Sequence, residues 1–336
     1  MYARKLFRNV MVLALTCGAP LGVAHAGTLM NVSYDTTRDL YAEYNVAFAK
    51  YWKRQDTVTI DQRHGNSGNQ ATLVNNGLEA DVVSLALPPD IEKIADKGLL
   101  HKNWQERLPK NAAPYTSTIV FLVRQGNPKR IKDWSDLVRW GVNVVILNPK
   151  TSGAARWSYL AAYGYALKQP GGDEQRARDF LRRIYGNTKV LEYGARGATN
   201  TFAKQKIGDV MVSWENEALR AVAENPNEYE IITPSISVLA EPTVAVVDTV
   251  VDKRGTRKLA EAYVEYLYSP EGQAIAAKHY YRPSDPAVLA KNADRFPPIK
   301  LFRVNEIFGD WKNIHKTHFK DGGIFDSLYD QYRNAS

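Results

Sequence analysis

The amino-acid sequence predicts an α/β fold of layered, mostly parallel sheets divided between two domains. Three observations predict it. Short β-type runs alternate with helical apolar patterns along most of the chain. Loops of small polar residues, beginning near Asp35, Ser67, Ser152 and Ala195, recur where a strand gives way to a helix. About 310 of the 336 residues remain once an N-terminal leader is set aside, enough for two cores.

The leader comes first. Arg4, Lys5 and Arg8 precede an apolar run from Val10 to Val23, and Ala24-His25-Ala26 offers a small-residue cleavage site. That is the pattern of a secretory signal peptide over residues 1–26; the run is too short, and too interrupted by Gly18 and Pro20, for a stable membrane anchor. The single cysteine, Cys17, lies inside it and lacks the leucine expected three residues before a lipidated cysteine. An exported chain of this size can bury enough core without disulfides. Removing the leader's three basic residues lowers the net charge from +8 to +5. The remaining basic residues are dispersed, as at Lys129-Arg130, Arg182-Arg183 and Lys253-Arg254, which argues against a nucleic-acid partner.

Each element has a local reason. Asn31 to Tyr34 reads as a strand, and Asp35-Thr36-Thr37 opens a helix with Leu40, Tyr41, Tyr44, Phe48 and Trp52 on one face. Val58 and Ile60 alternate into His64-Gly65-Asn66-Ser67-Gly68, where Ser67 is expected as the cap of a helix carrying Leu73, Val74 and Leu78. Val82 to Leu85 is a buried-type strand, and a helix follows from Pro88-Pro89-Asp90 to Gly98. Tyr115 to Val123 is a β-rich crossover into the second domain. Val142 to Leu147, Lys189 to Tyr193 and Asp209 to Trp214 are further strands. Helices are expected behind Ser152-Gly153, from Glu174 to Tyr185, behind Gly194-Ala195, from Arg257 to Tyr268, and after Ser269-Pro270. Val244 to Val247 is the return crossover, and the aromatic tail carries helical pieces near Trp311 and Phe325.

Ligands of open α/β sheets bind beyond the carboxyl ends of strands, where the four polar loops fall. A helix start attracts anions through unpaired amides and the dipole, without a basic side chain. An ordinary helix cap explains any one loop; four together point to an anion site. Ser67 and Ser152 offer an N–H and a hydroxyl, Gly153 and Ala154 leave the backbone open, Ala195 and Arg196 sit in a turn suited to presenting amides, and Trp214 brings a donor-only indole. Other chemistries fit less well. Gly65 to Asn69 misses the last glycine of a nucleophile elbow, and no Gly-Lys-Ser/Thr completes a phosphate loop. His315 and His318 lack a third metal ligand, so no metal or cofactor is expected. Glu215 and Glu217 could pair as acid and base, but the strand-end position suits caps or hinge contacts better.

Longer stretches carry a resemblance: residues 31–35, 64–72, 148–157, 194–202, 214–218, 269–273 and 301–303 are similar to the periplasmic sulfate-binding proteins of bacterial ABC importers. The likeness implies a type II periplasmic-binding-protein fold of two α/β sandwich lobes joined by a β-strand hinge. It further implies lobes of residues 27–114 plus about 249–336, and about 115–248. The ligand would be one dehydrated sulfate in the cleft, held by the N–H groups of Asp35, Ser67, Gly153, Ala154 and Ala195, the Ser152 hydroxyl and the Trp214 indole. Arg196 and Glu217 would support the loops from behind. The expected partner is an inner-membrane ABC permease, and the expected receptor a periplasmic monomer without enzymatic activity. An all-donor site leaves the proton of phosphate unpaired, at a cost of about 1–3 kcal/mol. The family's Gly-Gly-Ser-Gly-Lys is Gly65-Asn66-Ser67-Gly68-Asn69 here, and its second glycine after the third-loop serine is Ala154. Thiosulfate is the alternative ligand, since a sister family with this fold binds it, and a secreted ester hydrolase using Ser67, or Glu215 and Glu217, the alternative class.

Overall fold

The computed structural model describes residues 27–335, with side chains described through residue 329. The leader, its cleavage site and Cys17 lie outside the described residues. Thirteen strands are numbered in chain order: β1 (Gly27–Tyr34), β2 (Val58–Gly65), β3 (Val82–Leu85), β4 (Tyr115–Thr116), β5 (Ile119–Arg124), β6 (Val144–Leu147), β7 (Thr188–Glu192), β8 (Val210–Trp214), β9 (Tyr229–Ile232), β10 (Ser237–Val238), β11 (Thr243–Val246), β12 (Arg282–Pro283) and β13 (Leu301–Phe302).

Two sheets position the site. The first has the order β11-β3-β1-β2, the second β7-β6-β8-β5-β9. β1 runs parallel to both β2 and β3, while β11 lies antiparallel on β3. In the second sheet β6 is parallel to β7 and β8, and β5 is antiparallel to β8 and β9. The two sheets are therefore mixed, with four parallel pairings to three antiparallel ones. The antiparallel strands include β5 and β11, which the chain enters as it passes between sheets. Only a helical crossover obliges the next strand to run parallel. β9 was missed by sequence reading; it is a four-residue edge strand set among Asn225-Pro226-Asn227 and Pro234.

The helices bury the faces their periodicity predicts. Leu40, Tyr41, Tyr44, Phe48 and Trp52 of the helix Arg38–Trp52 are all buried, and Phe48 meets Tyr263 edge-on with ring centroids 5.0 Å apart. The helix Gly153–Leu167 is buried on nearly every side because a second layer covers it. That layer is the tail. β13 pairs with β10, Trp311 packs edge-on against Trp157 at 5.1 Å, and Phe325 packs against Tyr185 at 5.4 Å. Lys150 fastens the same tail through Asp321 (2.8 Å) and Asp326 (3.1 Å). His318, weighed above as a metal ligand, is a buried core residue whose Nδ1 lies 3.0 Å from the Tyr159 hydroxyl.

Gly164 shows how tightly this layer is seated. A Cβ there would come within 2.4 Å of the Phe302 ring, which is itself 2% exposed. Gly164→Ala sets two effects against each other. Alanine favours a helix by about 1 kcal/mol, but overpacking a filled core costs about 1–3 kcal/mol. The expected outcome is net destabilisation, read as a lower denaturant midpoint. A midpoint at or above that of the unaltered protein would show that Phe302 gives way.

Candidate functional site

Sheet register brings the four polar loops together in pairs. Tyr34 is the register partner of Gly65, so the chain leaves β1 and β2 side by side into the Asp35 and Ser67 loops. Leu147 is the partner of Glu192, which sets the Ser152 and Ala195 loops side by side at the ends of β6 and β7. The two pairs face each other across a small cavity of about 20 Å³. Its walls are Tyr34, Asp35, Thr36, Gly65, Asn66, Ser67, Ala86, Ser152, Gly153, Ala154 and Ala195. A water needs about 10–15 Å³ by the same measure, so there is room for a small bare ion and none for its hydration shell.

Each loop presents a helix start. A short turn opens at Asp35, and helices open at Ser67, Gly153 and Ala195. No side chain caps any of these starts, in contrast to Asp173, Ser269, Asp285 and Asp310, which cap theirs. The N–H groups of Asp35, Ser67, Gly153, Ala154 and Ala195 have no acceptor among the backbone bonds outside helices and strands. Within a helix the first turn has none to offer either. The five residues that carry these N–H groups all line the one cavity. No lysine, arginine or histidine lines it, and the carboxylate of Asp35 is turned to Arg38 at 2.9 Å. Gly153 needs its bare Cα, since a Cβ would come within 3.1 Å of both Ser67 and Leu87.

Two sequence assignments change. Ser67 is the first helical residue, and Asn66 occupies the cap position. The Ser67 hydroxyl instead accepts the Ala86 N–H at 3.0 Å, fixing the end of β3 to the loop. Trp214 is buried but does not line the cavity; its indole N–H donates to the Ala154 carbonyl at 3.0 Å. In this geometry it holds the Ala154 loop in place and is no direct donor, because its one proton is already engaged. Ser152 is a cap residue whose hydroxyl makes no cap bond, and it lines the cavity. Trp157, unremarked in the sequence beyond its helical face, donates its indole N–H to the Ala86 carbonyl at 2.8 Å and so ties the second sheet's side to the first.

Charged groups stand one layer back. Burial, the larger cause, lowers the His64 pKa to about 4, so the ring is neutral near pH 7; its Nδ1 sits 2.7 Å from the Ser33 hydroxyl. It does not serve Ser67 as a base. Glu215 is locked in a buried two-pronged ion pair with Arg282, at 2.6 and 2.7 Å. Glu217 is buried, and desolvation pushes it up to about 7; Arg220 and Arg196 oppose the rise while Asp35 and Asp39 add to it. Arg220 in turn bridges the sheets through Asp39 at 2.5 Å. Arg196 has a buried Nη2 without a hydrogen-bond partner.

Comparison with known proteins agrees with this geometry. Residues 29–282 match the family described as bacterial extracellular solute-binding protein. The sulfate-binding protein of Escherichia coli (strain K12) is 58% identical over 303 residues, covering 89% of this chain and 92% of that one. A thiosulfate-binding protein of Pseudomonas aeruginosa is 52% identical over 321 residues, covering 94% and 96%. Among solved structures, the sulfate-binding protein SubI from Mycobacterium tuberculosis H37Rv superposes with a TM-score of 0.78 at 31% identity, covering 86% of this chain and 98% of that one. The mixed sheets and the two-sided cavity are thus those of a two-lobed substrate receptor of ABC importers, and the chain belongs to the bacterial extracellular solute-binding proteins.

Proposed function

We propose that this protein binds one dehydrated sulfate ion in the cavity between its lobes and delivers it to an ABC importer of the inner membrane. The observation that supports the reading is that Ser152 and five residues whose backbone N–H groups have no acceptor outside helices and strands line one cavity that no lysine, arginine or histidine lines. Sulfate only accepts hydrogen bonds at neutral pH, so a donor-only shell suits it and disfavours phosphate. The donors are the N–H groups of Asp35, Ser67, Gly153, Ala154 and Ala195 with the Ser152 hydroxyl, while Trp214, Arg196 and Glu217 support them. The lobes are taken as residues 27–114 plus about 249–336, and about 115–248, as expected from the sequence, except that the tail from 301 is assigned to the second, on which β13, Trp311 and Phe325 pack. Export by a signal peptide cleaved after Ala26 and action as a periplasmic monomer complete the reading. Ser67, bonded to Ala86 and without a base, and Glu215, locked to Arg282, leave the hydrolase alternative without its machinery.

Calorimetric titration with sulfate, thiosulfate, molybdate and phosphate tests it. Sulfate is expected to bind 1:1, with phosphate at least tenfold weaker. The 52% identity to a thiosulfate-binding protein makes thiosulfate the competing outcome. Heat from none of the four anions would refute the assignment. Ser152→Ala, which removes one donor to a charged ligand, is expected to weaken sulfate by roughly ten- to a hundredfold.

Glu217 generates a pH prediction. Its pKa is raised from 4.5 to about 7 in the fold, chiefly by burial. A group so raised contributes stability that is fully present below about 4.5 and is lost as pH rises through about 7. The full contribution is on the order of 3 kcal/mol. The stability of Glu217→Gln, followed by denaturant midpoint, is expected to fall less than that of the unaltered protein between pH 5 and 8. Equal slopes would assign the titration to another group.

A further inference from the structure

Asn66 holds the cap position of the helix Ser67–Asn75, where an asparagine ordinarily turns its side chain back to bond the first-turn N–H groups. It does not. Its Nδ2 donates instead to the Thr151 carbonyl at 3.2 Å, across the cleft and one residue before Ser152. Its Oδ1 lies 3.3 Å from where a Cβ on Gly194 would stand, beside the fourth polar loop. One turn along, the Asn69 Nδ2 donates to the Tyr193 hydroxyl at 3.4 Å, again from the first sheet's side to the second's. Thr151 and Tyr193 are themselves joined, the Thr151 hydroxyl donating to the Tyr193 carbonyl at 3.0 Å. Two amide side chains thus meet a preassembled pair of loops along one rim of the cavity, which Asn66 itself lines.

We propose that Asn66 and Asn69 form an uncharged latch that holds the two lobes closed over the bound ion and sets its rate of escape. The withdrawn cap has two effects. The Gly68 and Asn69 N–H groups, which a cap would bond, are left open, and the Asn66 amide is turned to closure instead. Both residues are neutral, so the rim adds no charge that would draw in monovalent anions. They act as positioning residues, since their partners are protein oxygens. Asn66 supplies the stronger bond; Asn69, at longer distance and on an exposed face, supplies the weaker.

The latch rests on the sulfate reading for one of its two tests only. Asn66→Gly keeps a tolerated cap residue, and is combined with Asn69→Ala. By stopped-flow, the double variant is expected to release sulfate faster, by roughly two- to tenfold for each bond lost, and an unchanged release rate would overturn the latch. The second test needs no ligand. Because Cys17 in the leader is the only cysteine of the sequence, spin labels can be placed uniquely at Lys97→Cys and Lys189→Cys in the leader-free protein. The double variant is expected to show a longer or broader distance distribution between them without sulfate. An unchanged distribution overturns the latch, whether or not sulfate binds. Absence of sulfate binding by the unaltered protein overturns the functional reading instead.

Discussion

A backbone N–H in the first turn of a helix has no acceptor within that helix, and the architecture of this receptor follows from placing several such groups around one point. At Asp173, Ser269, Asp285 and Asp310 the chain meets this need with a capping carboxylate or hydroxyl. At the cavity it leaves the need open. The parallel pairs β1–β2 and β6–β7 set neighbouring loops in register, and the cleft opposes the two sets. Small residues then suit the meeting point. At Gly153 a single methyl group would press on Ser67 and Leu87, which would have to give by a few tenths of an ångström.

Holding an anion with dipoles instead of cations has an electrostatic logic. Each helix start presents roughly half a positive charge, spread over amides fixed in place by the fold. Fixed dipoles need little reorganisation when the ligand arrives. A lysine would lose side-chain freedom and would attract anions of any shape. The charged residues of this region are accordingly occupied with one another: Asp35 with Arg38, Asp39 with Arg220, Glu215 with Arg282. Glu217 forms no such ion pair among the described residues, and burial pushes it up to about 7.

Much of this was legible in the sequence because strand, small polar loop and helix are local signals. The Asp35, Ser67, Ser152 and Ala195 loops could be placed from patterns a few residues long. What could not be read depends on contacts between distant segments. Trp214 looked like a donor to the ligand, but only its position beside the Ala154 carbonyl, 60 residues away in sequence, reveals where its proton goes. Asn66 and Asn69 read as departures from a family motif, and their partners Thr151 and Tyr193 became visible only with the lobes in place. The edge strand β9 is short and carries few apolar neighbours, so periodicity had little to work on.

The tail adds a consequence for how the chain comes into being. Its second lobe is built from the middle of the sequence, yet the cover over the helix Gly153–Leu167 comes from β13 and the segment after it. Lys150 meets Asp321 and Asp326, some 170 positions downstream. Contacts between segments so distant in sequence carry a loop-closure cost and slow folding. Until they form, Trp157 and Tyr159 lack the rings that shield them, so the wall behind half the cavity is completed by a distant stretch of chain.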